Sequence, residues 1–110
     1  MNDPAATAPQ WTAVGKVAEW DDDKGRLVQV GARRIGVYRH QGKWFALKDI
    51  CPHAGVALHH GPVYDGTVTC VAHGWRFELA TGRCDGMGDS YKVNTYPVRV
   101  TAEGKVELGL

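Results

Sequence analysis

The sequence runs to 110 residues, enough for one domain with a modest core and too few for two. Its 13 basic and 12 acidic side chains leave a net charge of +1, so there is no global polyanion footprint and nucleic acid is not an expected partner. No window approaches 18 apolar residues, and MNDPAATAPQ has no charged segment followed by an apolar run, so neither a membrane anchor nor a secretory signal is expected.

Residues 1–9 are small, polar and proline-containing and read as a frayed lead-in to a single domain over 10–110. Apolar positions at Trp11, Ala13, Val14, Val17 and Ala18 predict a strand and then a turn within 11–20. Asp21-Asp22-Asp23-Lys24-Gly25 is an acidic turn in which the glycine is expected to take the positive φ. Strands are predicted over 26–30 and 33–39, joined at Gly31-Ala32, and over 44–49 after the turn at Gln41-Gly42-Lys43. Two more follow over 68–72 and 75–79, the second closed by Ala80-Thr81-Gly82. Residues 84–89 lack periodicity and read as loop, while 92–101 and 106–110 form the last strands around a turn at Ala102-Glu103-Gly104-Lys105. No segment has amphipathic helical periodicity, so the fold class is all-β, a small antiparallel domain.

Two segments carry the chemistry, Cys51-Pro52-His53 and Cys70-Val71-Ala72-His73, with 16 residues between His53 and Cys70. Two thiolates and two imidazoles from two loops suit a mononuclear zinc site of Cys2His2 type. They equally suit a two-iron cluster in which both thiolates bind one iron and both imidazoles the other. A Cys51–Cys70 disulfide is a third arrangement, but it leaves both histidines unexplained. Three cysteines make an odd count, which argues against a disulfide framework and for a reducing, cytoplasmic compartment.

Around these residues the text reads CPHAGVALHHG and then CVAHGWRFELATGRC. It closely resembles the Rieske family of [2Fe–2S] proteins, whose paired loops read C-x-H-x-G and C-x-x-H-G-x-x-F/Y. The matching positions are Cys51, His53, Gly55, Gly61, Cys70, His73, Gly74, Phe77, Thr81 and Gly82, and the close likeness covers residues 50–85. The resemblance implies a small antiparallel Rieske-like β-sandwich with two loops at one end holding one [2Fe–2S] cluster. Its ligands would be Cys51, His53, Cys70 and His73, and the chain would carry no catalytic residue of its own.

Gly55 and Gly74 follow the two histidines, where backbone is expected to pass close to the bridging sulfides without a Cβ in the way. Neutral imidazoles in place of two thiolates remove negative charge from one iron and raise the potential. Respiratory members of the family also carry two loop-crosslinking cysteines, whose positions here hold Val56 and Ala72, and two hydroxyl side chains, whose positions hold Trp75 and Phe77. With fewer donors toward the sulfurs, the expected midpoint lies low in the Rieske range, at roughly −150 mV. The covering loop, Gly86-Met87-Gly88-Asp89, lacks the proline common in the family.

The resemblance implies a one-electron carrier, not catalytic alone. It would pass electrons from a flavin-dependent NAD(P)H reductase to a terminal oxygenase of ring-hydroxylating type. Both contacts would be transient and the carrier a monomer. The small subunit of an assimilatory NAD(P)H nitrite reductase is the alternative within the family, and a zinc-stabilised interaction module without redox activity is the alternative outside it. Elsewhere, Cys84 reads as a small buried residue or thiol outside the ligand set, and His59 and His60 as a surface turn. His40 has no visible partner, Trp44, Phe45, Trp75 and Phe77 read as core or shielding, and Met87 as an ordinary loop residue.

Overall fold

The computed structural model describes residues 10–52, 55–87 and 90–110; the expected lead-in over 1–9 lies outside them. In chain order the elements are β1 (Trp11–Lys16), a 3-10 turn (Val17–Glu19), β2 (Lys24–Val30), β3 (Arg33–His40), β4 (Lys43–Lys48) and β5 (Val63–Tyr64). They continue with β6 (Thr67–Thr69), β7 (Arg76–Glu78), β8 (Thr95–Tyr96), β9 (Val98–Val100) and β10 (Lys105–Gly109). Among the described residues all pairings are antiparallel and form three sheets, ordered β1-β10-β9, β2-β3-β4-β8 and β5-β6-β7. The all-β, antiparallel expectation holds. Among the described residues, no helix is long and apolar enough to cross a membrane.

The middle sheet is buried on both faces, and side-chain alternation along β3 and β4 divides two cores. Ile35, Val37 and Ala46 point one way, where they meet Trp20 and the β10 residues Val106 and Leu108. Tyr38 and Leu47 point the other way, into a cluster with Leu58, Val63, Val68, Phe77, Leu79, Val93 and all three cysteines. Full burial of each large apolar side chain contributes about 1.5–3 kcal/mol relative to exposure. The second core includes Cys51 and Cys70, so both cysteine loops stand on it.

Several local expectations fail for identifiable reasons. In the acidic turn the left-handed residue is Asp23, with φ 62°, rather than Gly25. Aspartate tolerates that conformation. Gly25 instead lies in β2 opposite Tyr38, and a Cβ there would come within 2.4 Å of the tyrosine ring. The strand expected over 68–72 stops at Thr69, because residues 71–73 turn. The one expected over 92–101 is split: Thr95–Tyr96 joins the middle sheet, and beyond Pro97 Val98–Val100 joins the outer one. Strand β5 has two residues, too few to register as alternation in the sequence.

Candidate metal centre

The two loops that carry the candidate ligands close in the same way. In the first, the Cys51 N–H donates to the Val56 carbonyl at 2.7 Å and the Gly55 N–H donates back to the Cys51 carbonyl at 2.7 Å. In the second, Cys70 N–H donates to Trp75 O at 2.7 Å and Gly74 N–H to Cys70 O at 2.9 Å. Each loop thus runs five residues on from its cysteine and returns on itself. The return requires a left-handed residue just before its end, and Gly55 and Gly74 supply it with φ of 70° and 77°. Among the described residues, chain neighbours aside, a Cβ at either glycine would meet no atom within 4 Å, so the need visible at both is conformational.

Closure in this form turns both cysteines inward. Cys51 and Cys70 have no solvent exposure, and neither is in a disulfide. His73, at the turn of the second loop, is exposed. His53 lies outside the described residues, and among those described no three His, Cys, Asp or Glu side chains are gathered as a metal site. Two buried thiols at equivalent points of twin loops, with an imidazole displaced toward solvent, fit a cluster taking sulfur at an inner iron and nitrogen at an outer one. They do not fit the disulfide arrangement.

The residues around the loops hold them to the core. Phe77 is fully buried, and the Trp75 ring packs edge-on against Tyr91 at 4.8 Å, as expected of shielding side chains. Cys84 is buried and bridged to Phe77 through the backbone. Burial pushes its thiol up, and Cys51 and Asp85 push in the same direction. Its burial is as expected, and it packs in the same cluster as Cys51 and Cys70. Val56 packs partly buried against the same core, while Ala72 is exposed. In the covering loop, Met87 is 38% exposed and its N–H donates to Cys84 O at 3.1 Å; Gly88 and Asp89 lie outside the described residues. Ile50 and Val71, each beside one of the candidate cysteines, are also exposed.

Two histidines behave differently from their sequence reading. His59 is not a plain surface-turn residue: its ring Nδ1 donates to Asp49 Oδ2 at 2.5 Å, and its backbone N–H donates to Asp49 Oδ1 at 2.8 Å. His60 remains exposed, its ring 4.0 Å from that of His59. His40 is buried, with Nδ1 at 2.6 Å from Asp23 and Nε2 accepting the Gly66 N–H at 3.0 Å, so it ties the middle sheet to the β5–β6 turn. Both partnerships join residues far apart in sequence, and only the acidic character of Asp23 and Asp49 hinted at them.

Comparison with known proteins agrees with this geometry. The sequence model of the Rieske [2Fe-2S] domain matches residues 10–97. The anthranilate 1,2-dioxygenase ferredoxin subunit of Burkholderia cepacia is 30% identical over 105 residues, covering 96% of each chain. Among solved structures, the complex of reduced oxygenase and oxidised ferredoxin in carbazole 1,9a-dioxygenase matches with a TM-score of 0.80 and 27% identity, over 90% of this chain and 92% of that one. A protein assigned as the NADH-dependent nitrite reductase small subunit of Mycobacterium tuberculosis matches with a TM-score of 0.86 at 23% identity, over 93% and 96% of the two chains. That likeness is one of fold. The twin loops, the donor set they present and the match over nearly the whole chain lead to one conclusion: this protein belongs to the Rieske [2Fe–2S] family, and its cofactor is a [2Fe–2S] cluster.

Proposed function

We propose that the chain is a one-electron carrier whose cluster is held by Cys51 and Cys70 at one iron and by His53 and His73 at the other. Bound there, the cluster would supply one-electron redox chemistry. The observation that carries this reading is the asymmetry of the site: both cysteines are sealed in the second core, and His73 faces solvent. The chain thereby keeps water from the sulfur-bound side and leaves the imidazole side as the short route to a partner.

The electron donor is a flavin-dependent NAD(P)H reductase and the acceptor a terminal oxygenase, each binding transiently to a monomer in the cytoplasm. The domain spans residues 10–110 and is not catalytic alone. Support comes from the relatives of ferredoxin type and from the exposed apolar side chains Ile50 and Val71, each next to a cysteine of the two loops, and Met87 of the covering loop. A small, weak interface suits partners that must separate after each electron. The nitrite reductase likeness supports the fold and carries no separate argument for that subunit's role.

His73→Ala tests the ligand assignment. The variant is expected to lack the visible absorption of the wild-type protein, and a variant retaining that absorption unchanged would remove His73 from the ligand set. Rapid-mixing reduction of an oxygenase component by the reduced protein tests the acceptor, with turnover expected and a redox-inert mixture contradicting it.

A further inference from the structure

We propose that Asp49 and His59 are positioning residues for the cluster, a buried clamp that holds the first ligand loop in register with the second. The proposal rests on the carrier reading above. Its basis is a difference in how the two loops are supported. The second loop sits at the end of a paired hairpin, where Thr69 in β6 lies directly opposite Arg76 in β7, just outside Cys70 and Trp75. The sheet therefore fixes its width. The first loop has no such base. It leaves the middle sheet at β4 and enters the third sheet at β5, so no ladder joins its two ends.

Asp49 and His59 close that gap. Asp49 lies two positions before Cys51, with a side chain fully removed from solvent. Both of its oxygens bind one residue, His59, through the backbone N–H at 2.8 Å and the ring Nδ1 at 2.5 Å. Asp49 is itself held, because its N–H donates to Arg34 O at 2.9 Å while Lys48 N–H donates to Asn94 O at 2.9 Å. His59 is held by the turn in which Gly61 N–H donates to Leu58 O at 2.9 Å, and Leu58 is fully buried in the core that seals the cysteines. A carboxylate is retained in such a place only when its hydrogen bonds are complete. The clamp thus transmits the position of the middle sheet to Cys51, two residues beyond Asp49.

The test compares holoprotein of wild type, His59→Leu and His59→Asn. Asparagine can place an N–H near the position of the imidazole Nδ1, and leucine cannot. With a chelator present, His59→Leu is expected to lose its visible absorption about tenfold faster than wild type, as is typical when support behind a ligand is removed. His59→Asn is expected to stay close to wild type. Pulsed electron paramagnetic resonance of the reduced proteins gives the local signature. Of two histidine nitrogen couplings, the one from the first loop is expected to broaden in His59→Leu while the other is unchanged. If His59→Leu does not fold, His59→Ala replaces it with the same expectation. Cluster retention and couplings equal to wild type in the leucine or alanine variant overturn the inference alone, as does an asparagine variant that behaves like leucine. A wild-type protein without a cluster overturns the carrier reading and the inference with it.

Discussion

Loops 51–56 and 70–75 share both closing hydrogen bonds and the positive-φ glycine, yet the second stands on a paired hairpin and the first spans two sheets. The likeness is local and lies in the sequence itself, in a cysteine followed four residues later by glycine. The difference is tertiary and depends on a buried carboxylate, a histidine ten residues away and a leucine core beneath them. Equivalent ligand loops can therefore be held by unequal means, and substitutions should separate what the loops share from what they do not.

The largest effect is expected at what they share. Cys51→Ala and Cys70→Ala should each remove the visible absorption of the cluster entirely, measured on freshly purified protein, and one variant that keeps it would break the twinning. Next come the supports beneath the loops. Leu58→Ala is expected to destabilise by about 2–5 kcal/mol through lost burial and a cavity, read from the urea midpoint. Gly61→Ala places a Cβ within 1.8 Å of the Thr69 carbonyl, where the exit of the first loop crosses β6. It is expected to cost about 1–3 kcal/mol, and an unchanged midpoint would contradict so close a crossing.

Gly55→Ala and Gly74→Ala sharpen the comparison further. Each forces a residue with a Cβ into a left-handed conformation with open space around it, at about 1–2 kcal/mol. The two costs should agree within error if the loops are conformational twins. The smallest effect is expected at Tyr38, whose buried hydroxyl has no hydrogen-bond partner among the described residues. Burial first, and the Asp49 charge second, push its ionisation far above the ordinary tyrosine value. The folded protein therefore keeps this proton while the unfolded chain releases it near pH 10. The resulting contribution to stability is complete below about pH 10 and is lost as pH climbs above it. Tyr38→Phe should be neutral or stabilising by about 1 kcal/mol, and its unfolding should steepen less above that pH. Clear destabilisation would reveal a hydrogen bond to Asp49 that the structure lacks.

Much of this was legible in the sequence, because ligand spacing, strand alternation and turn residues are local signals. The β2–β3–β4 meander appears within a residue or two of its predicted bounds, as do the inward placement of Cys84 and the core roles of Phe77 and Trp75. What escaped was set by distant partners. Gly25 reads as a turn glycine until Tyr38 is seen across the ladder, and Asp23 takes the left-handed position beside the His40 it binds. His59 reads as surface until a carboxylate ten residues earlier proves to be buried against it. Pro97 ends one strand and starts another because β8 and β9 serve different sheets, which no local pattern encodes.

The central claim is that sulfur ligands hold an inner iron and nitrogen ligands an outer one. The most direct test is the electron paramagnetic resonance spectrum of the dithionite-reduced protein. A rhombic signal with an average g value below that of all-thiolate [2Fe–2S] proteins is expected. An average g in the all-thiolate range, or no signal from protein that carries zinc, would contradict it.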